Sequence, residues 1–294
     1  MKNNLQGTGV ALVTPFDEHQ AIDYPALGKL IESVIAGGAD YLVALGTTAE
    51  TPTLSSAEKS EILSFVRERN AGRLPLVVGI GGNNTQETVR KIETTDLEGI
   101  AAVLSVTPYY NKPSQEGLYQ HYKAVAEASP RPIILYNVPG RTGVELKPET
   151  TLRLAHDFEQ VVAIKDASCS LMQMAYVLRD KPEQFMVISG DDNMALPLIA
   201  LGGDGVISVA ANVFPEPVCR MVQLCLTGDF AGASLIHLHL LECVEALFRE
   251  GNPVGVKAAL ALKGMMRNEL RLPLVPCSGG LYAHLELLIE KYEL

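Results

Sequence analysis

Lys165 closes the run Val161-Val162-Ala163-Ile164, which holds no other polar side chain. Withdrawal from water penalises an ammonium against its neutral form, and a neutral amine can attack a ketone. The iminium so formed is an electron sink, so an enamine can arise with no metal to stabilise the carbanion. A structural lysine paired with a carboxylate is the plainer reading of the same position, and Asp166 stands next in the chain. A Schiff-base cycle also needs groups that move protons. Tyr136 ends the apolar run before that of Lys165, and Thr47, Thr48 and Tyr110 close others. A phenol hydrogen-bonded to a hydroxyl both donates and accepts. Taken singly, each tyrosine reads equally well as a core or interface residue; convergence on one face would give them a task. Arg141 follows the Pro139-Gly140 turn, where a guanidinium could grip a carboxylate through two hydrogen bonds or simply lie in solvent.

Other chemistries find little support. None of the six histidines (His19, His121, His156, His237, His239 and His284) ends an apolar run. His237 and His239 lie two apart on an expected helix, so their side chains diverge. All six read as surface or helix-packing residues. The carboxylates at run ends are Asp166, Asp191 and Asp192, and the last two precede Asn193-Met194-Ala195-Leu196 as a helix cap would. No metal site is expected. Gly79-Ile80-Gly81-Gly82-Asn83 could offer backbone N–H groups to an anion, but it lacks the lysine and hydroxyl of a Walker loop and the dinucleotide spacing. A tight strand-to-helix turn accounts for the glycines alone. The five cysteines (Cys169, Cys219, Cys225, Cys243 and Cys277) are scattered and odd in number, so they form neither a zinc pattern nor a disulfide framework. No cofactor is expected.

The elements that must position these residues follow from eight short apolar runs. They are Val10 to Phe16, Asp40 to Gly46, Pro75 to Gly81, Ile100 to Thr107, Pro132 to Val138, Val161 to Lys165, Phe185 to Ser189 and Gly205 to Val209. Runs this short and apolar fit strands covered on both faces, and helical patterns such as Tyr24 to Ala36, Ser56 to Glu68, Thr85 to Asp96 and Gln115 to Glu127 separate them. Eight such units predict an α/β fold, a (β/α)8 TIM barrel, whose catalytic side chains sit at the strand ends. Three further helices, over Asp229 to Phe248, Pro253 to Asn268 and Ser278 to Tyr292, exceed what the barrel needs. The expected organisation is a barrel over residues 1–228 and a C-terminal helical extension over residues 229–294 packed on it or forming an interface. A composition 47% hydrophobic and 20% charged supports one large core. The excess of 34 acidic over 24 basic residues argues against a nucleic-acid or anionic-membrane partner. No secretory signal precedes Gly7 and no uninterrupted apolar stretch reaches membrane-spanning length, so a reducing cytoplasm is the expected compartment.

Five motifs then occur in order: Gly46-Thr47-Thr48-Ala49-Glu50-Thr51, Thr107-Pro108-Tyr109-Tyr110-Asn111-Lys112-Pro113, Tyr136-Asn137-Val138-Pro139-Gly140-Arg141-Thr142-Gly143, Ile164-Lys165-Asp166-Ala167 and Ser189-Gly190-Asp191-Asp192. With Gly205-Val206-Ile207-Ser208-Val209 they make the chain resemble, over nearly its whole length, the dihydrodipicolinate synthase/N-acetylneuraminate lyase superfamily, and the synthase branch most closely. The resemblance implies that Lys165 captures pyruvate as a Schiff base, with Tyr136 as general acid/base and Thr47 relaying its protons. It implies that Tyr110 completes the relay from a neighbouring subunit, so that a homo-oligomer, a dimer of dimers, is required. Thr48, Ile207 and Gly190 match positions lining the pyruvate pocket, and Arg141 matches the clamp for the carboxylate of L-aspartate 4-semialdehyde. The implied reaction yields 4-hydroxy-tetrahydrodipicolinate, on the way to diaminopimelate and lysine.

Ala49 and Thr51 replace the usual glycine and serine of the motif that follows the second apolar run. The family's lysine-feedback site would involve Thr51, Ser56, Lys59, Asn83, Glu87 and Tyr109, with Ser56 and Lys59 standing where feedback-sensitive members carry histidines. A cation at Lys59 repels the ammonium of lysine, which predicts weak or absent feedback. The alternative enzyme is a sugar-acid lyase of the same superfamily, acting on N-acetylneuraminate or a 2-keto-3-deoxy acid. Arg141 and the Tyr109-Tyr110 pair favour the synthase, because a short semialdehyde offers a carboxylate and few hydroxyls. A different class is a non-catalytic barrel that only binds a keto acid; an intact set of Lys165, Tyr136 and Thr47 argues against it.

Overall fold

The computed structural model describes residues 5–292, so the first four residues of the N-terminal segment lie outside it. Eight strands, β1 (Gly7–Ala11), β2 (Tyr41–Ala44), β3 (Leu76–Gly79), β4 (Ile100–Val106), β5 (Ile133–Asn137), β6 (Val161–Asp166), β7 (Met186–Ser189) and β8 (Gly205–Ser208), pair in chain order. All pairs are parallel, and β8 returns to β1 through Gly7↔Gly205 and Gly9↔Ile207 to close the barrel expected from the eight apolar runs. Around it lie α1 (Tyr24–Ala36), α2 (Ser56–Asn70), α3 (Thr85–Thr94), α4 (Gln115–Ala128), α5 (Pro139–Thr142), α6 (Pro148–Asp157), α7 (Leu171–Asp180), α8 (Ala195–Ala200) and α9 (Pro215–Leu226). Then follow α10 (Phe230–Phe248), α11 (Val254–Leu262) and α12 (Gly279–Lys291).

Local chemistry explains where these helices begin. Asp23 accepts the Ala26 N–H at 2.9 Å, Pro25 sits in the first turn of α1, and Leu27, Leu30, Ile31 and Val34 recur at helical spacing to bury one face. Each such side chain contributes about 1.5–3 kcal/mol on leaving water. A reciprocal cap opens α2: the Glu58 N–H donates to Ser55 Oγ at 3.2 Å, and the Ser55 N–H donates to Glu58 Oε2 at 2.8 Å. α11 stops earlier than its apolar pattern suggests. Gly264 adopts φ +67°, and the N–H groups of Gly264 and Met265 close the helix on the carbonyls of Ala261 and Leu260. α10 has a mean hydropathy of 1.3 and is the one helix among the described residues long and apolar enough to cross a membrane; it packs against α9, α11 and α12.

The barrel interior is a separate apolar cluster built with a period of two: Tyr41 and Val43, Ala102 and Leu104, Ile134 and Tyr136, then Ala163, Ile188 and Ile207. The first strand runs from Gly7 to Ala11, where the apolar signal pointed to Val10 through Phe16. Gly7, Thr8 and Gly9 carry no such signal, and Gly9 must stay bare because a Cβ there would lie 2.1 Å from the Tyr41 ring. The interior position that made the strand invisible is the one vacated for a tyrosine on its neighbour.

Candidate active site

A slip in strand pairing places the two chief side chains together. β5 and β6 pair Ile133 with Val161 but Ile134 with Ala163, and the one-residue shift carries through to Tyr136↔Lys165. Residues paired across parallel strands point to the same side, so both side chains continue the interior rows of Ile134 and Ala163. Lys165 Nζ lies 4.3 Å from the centroid of the Tyr136 ring. Lys165 is 5% exposed and Tyr136 6%. Gly190 makes the room: a Cβ there would stand 3.1 Å from Lys165 Cε and 2.7 Å from Ala167 Cβ. Ile207, fully buried, belongs to the same interior cluster.

The next pair in the ladder, Asn137↔Asp166, points the other way. Asp166 accepts Asn137 Nδ2 at 2.9 Å, Gln173 Nε2 at 3.1 Å and the Ser168 N–H at 2.8 Å. Its oxygens are thus committed behind the sheet, and the reading of Lys165 as half of an ion pair with Asp166 is excluded. Among the described residues Lys165 has no carboxylate within ion-pair distance, and neither its amine nor the Tyr136 hydroxyl has a hydrogen-bond partner.

Thr47 and Thr48 begin a 3₁₀ turn (Thr47–Ala49) directly after β2. The turn is bracketed by two left-handed residues that are not glycine, Leu45 at φ +55° and Glu50 at φ +54°. Such a conformation costs roughly 1–2 kcal/mol per residue and persists only where the surroundings enforce it. Thr14 Oγ1 donates to the Ala49 carbonyl at 2.8 Å, and Thr51 Oγ1 donates to the Gly46 carbonyl at 2.7 Å. Glu50 is fixed from below, with Oε1 accepting Lys257 Nζ at 2.6 Å and Oε2 accepting the Arg271 N–H at 3.0 Å. Ala49 lies at ordinary φ, so its methyl group needs no glycine's freedom; the left-handed step falls on Glu50 instead.

Arg141 stands on α5, exposed at the rim, and donates to the Asn252 carbonyl at 3.1 Å. Asn252 Nδ2 in turn donates to Thr48 Oγ1 at 2.9 Å, while its buried Oδ1 carries no partner. Asn252, Glu50 and Lys257 escaped the sequence reading. The signal that could have found the last two is a charge within buried surroundings, Lys257 standing among Val256, Ala258 and Ala259. Tyr110 is not brought into the barrel of its own chain: it is 85% exposed at φ +75°. Asp191 caps a 3₁₀ turn as expected, accepting the Asn193 N–H at 2.9 Å. Asp192 instead reaches across to the next strand's loop, accepting Ser208 Oγ and the N–H groups of Val209 and Ala210 at 3.0 and 3.2 Å. Gly81 is explained by packing, since a Cβ there would meet the Val106 nitrogen at 2.9 Å. His121 is a helix-packing residue, its Nδ1 2.9 Å from Thr85 Oγ1, and burial pushes its pKa down to about 4. Cys169, beyond β6, is held as the thiol: burial and then Asp191 push it up to about 11.

The sequence profile of the dihydrodipicolinate synthetase family matches residues 4–292. The 4-hydroxy-tetrahydrodipicolinate synthase of Parabacteroides distasonis is 55% identical over 273 residues, 93% of this chain and 92% of its own length. That of Phocaeicola vulgatus is 52% identical, over 94% of this chain and 93% of its own. The crystal structure of dihydrodipicolinate synthase from Aquifex aeolicus superposes with a TM-score of 0.95 at 42% identity, covering 99% of both chains. A closed parallel barrel, a lysine beside a tyrosine at its mouth and near-complete coverage of these relatives lead to one assignment: the chain belongs to the dihydrodipicolinate synthetase family.

Proposed function

We propose that the chain is a 4-hydroxy-tetrahydrodipicolinate synthase, joining pyruvate to L-aspartate 4-semialdehyde with loss of one water. The observation that carries the mechanism is an amine in the barrel mouth that is buried, unpaired and 4.3 Å from a tyrosine ring centroid. Lys165 attacks the pyruvate ketone, and the carbinolamine loses water to leave an iminium. Tyr136, relayed by Thr47, moves the protons of that dehydration and of the methyl deprotonation that gives the enamine. The enamine carbon then bonds to the aldehyde carbon of the semialdehyde. The new amine closes the ring at the former keto carbon, displacing Lys165. Thr48, Ile207 and Gly190 shape the pyruvate pocket, and Arg141 takes the semialdehyde carboxylate. The sugar-acid lyase reading is disfavoured, since the relatives at 52–55% identity are named as the synthase.

The working unit is proposed to be a dimer of dimers in the cytoplasm. Tyr110 supports this, being strained, exposed and useless to its own barrel. Exposed apolar side chains on α7 (Met172, Tyr176) and α10 (Leu235, Leu238) offer a second contact. Feedback by lysine is proposed to be weak: Glu87 is already held by Arg90 at 2.9 Å and lies 4.0 Å from Lys91, and Lys59 adds a third cation nearby. A sharp loss of activity at sub-millimolar lysine contradicts that.

Borohydride added to the protein with pyruvate tests the central claim. A pyruvate-derived adduct on Lys165 is expected, together with ring formation when semialdehyde is supplied. No adduct points to the binding-protein reading.

A further inference from the structure

The one fully buried ion pair among the described residues lies beside the site and is not used in the chemistry above. Glu50 and Lys257 are both 0% exposed in their side chains, with Nζ 2.6 Å from Oε1, although 207 residues separate them. A buried pair of this kind is weak as a net stabiliser, because desolvating both charges offsets their attraction. Its distinctive property is direction: it fixes one oxygen relative to one nitrogen. Here the fixed oxygen belongs to the left-handed residue that ends the Thr47–Ala49 turn, and the Glu50 N–H donates to the Thr47 carbonyl at 3.1 Å. Lys257 is therefore two short links from the backbone of Thr47. Asn252, five residues before Lys257, ties down the neighbouring Thr48. The extension thus grips the turn at two points.

We propose that Lys257 is a positioning residue for the reaction: by neutralising Glu50 it sets the orientation of the turn that carries Thr47 and Thr48. This rests on the reading of Thr47 as the proton relay. Lys257→Met removes the charge while keeping the length of the chain, and leaves the Glu50 carboxylate held only by the Arg271 N–H.

The test uses the full-length protein and four variants: Lys257→Met, Lys257→Arg, Glu50→Gln and the double Glu50→Met/Lys257→Met. Melting temperature, kcat, KM for pyruvate and the rate of pyruvate-dependent borohydride trapping are measured for each. Lys257→Met and Glu50→Gln are expected to lower kcat and trapping rate by about 10²-fold, the scale of a small misplacement of a catalytic group, with KM for pyruvate roughly unchanged. Lys257→Arg keeps the charge and regains most of that loss. The double variant carries no unpaired charge, so its melting temperature returns toward the parent's while kcat stays low. A double variant that regains both, or a folded Glu50→Gln protein with parental kcat, shows a clamp for the tail only and overturns the proposal. Failure of the parent protein to form any adduct on Lys165 would instead sink the functional reading beneath it.

Discussion

Two lysines are buried among the described residues, and each lies over an aromatic ring: Lys165 at 4.3 Å from the Tyr136 centroid and Lys257 at 4.2 Å from that of Phe16. They differ in company. Lys257 meets a carboxylate at 2.6 Å and sits in the middle of a helix, closed off from solvent. Lys165 meets none, because the adjacent Asp166 is turned through the sheet and held there by Asn137, Gln173 and Ser168. A buried amine with a counter-ion is a fastener. One without a counter-ion, at the open end of a barrel, is free to make a covalent bond. The strand's alternation of sides separates the two fates: a single position along β6 moves a side chain from the ligand face to the helix face.

Replacing each lysine by methionine should break the symmetry between them. Lys165→Met should abolish pyruvate trapping and lower kcat on the order of 10⁶-fold, as removal of a covalent nucleophile does, with the melting temperature held or raised. Equal losses of fold in both variants, seen by calorimetry, defeat the distinction. Next in size, Tyr136→Phe should cost about 10²–10⁴-fold in kcat while the protein folds normally, since only a proton-moving hydroxyl is removed. A fall below tenfold removes Tyr136 from the relay. Lys257→Met should strand the Glu50 carboxylate and destabilise by about 3–5 kcal/mol, read from denaturant midpoints. Arg141→Ala should raise KM for the semialdehyde by roughly tenfold or more, the value of a charge-assisted hydrogen bond, and leave KM for pyruvate alone.

The smallest effect concerns pH. Burial, opposed by Glu50, pushes the Lys257 pKa from 10.5 down to about 8, with Arg271 and Glu269 as the other charges facing it. Between these values the unfolded chain binds more protons than the folded one, so this group makes stability rise with pH from about 8 to 10.5. Below that window both states hold the proton and the contribution is flat. Subtracting the melting curve of Lys257→Met from that of the parent across this range isolates the slope; a difference of opposite sign contradicts it.

The contrast also measures what could be read from residues alone. Lys165 was legible because a lone polar side chain ends an apolar run, and Tyr136 and Thr47 because they end others. The barrel was legible for the same reason. Lys257 was only half legible: its apolar neighbours mark a charge in buried surroundings, but nothing local says what it pairs with, and its partner lies 207 positions away. The first strand was misplaced because its inward position is glycine, emptied for a ring on β2. That Tyr136 stands opposite Lys165 depends on a one-residue pairing shift at Ile133/Ile134, which no property of either strand announces.

That same ring on β2 has a consequence for traffic. Tyr41 lies where a side chain on Gly9 would stand and shares the interior cluster with Leu5, so bulky apolar groups fill the barrel near the start of its first strand. The Lys165 nitrogen, proposed to bond to the first substrate, is buried, whereas Arg141, proposed to take the second, is exposed. On that proposal the two substrates queue: the keto acid enters first and the aldehyde arrives behind it.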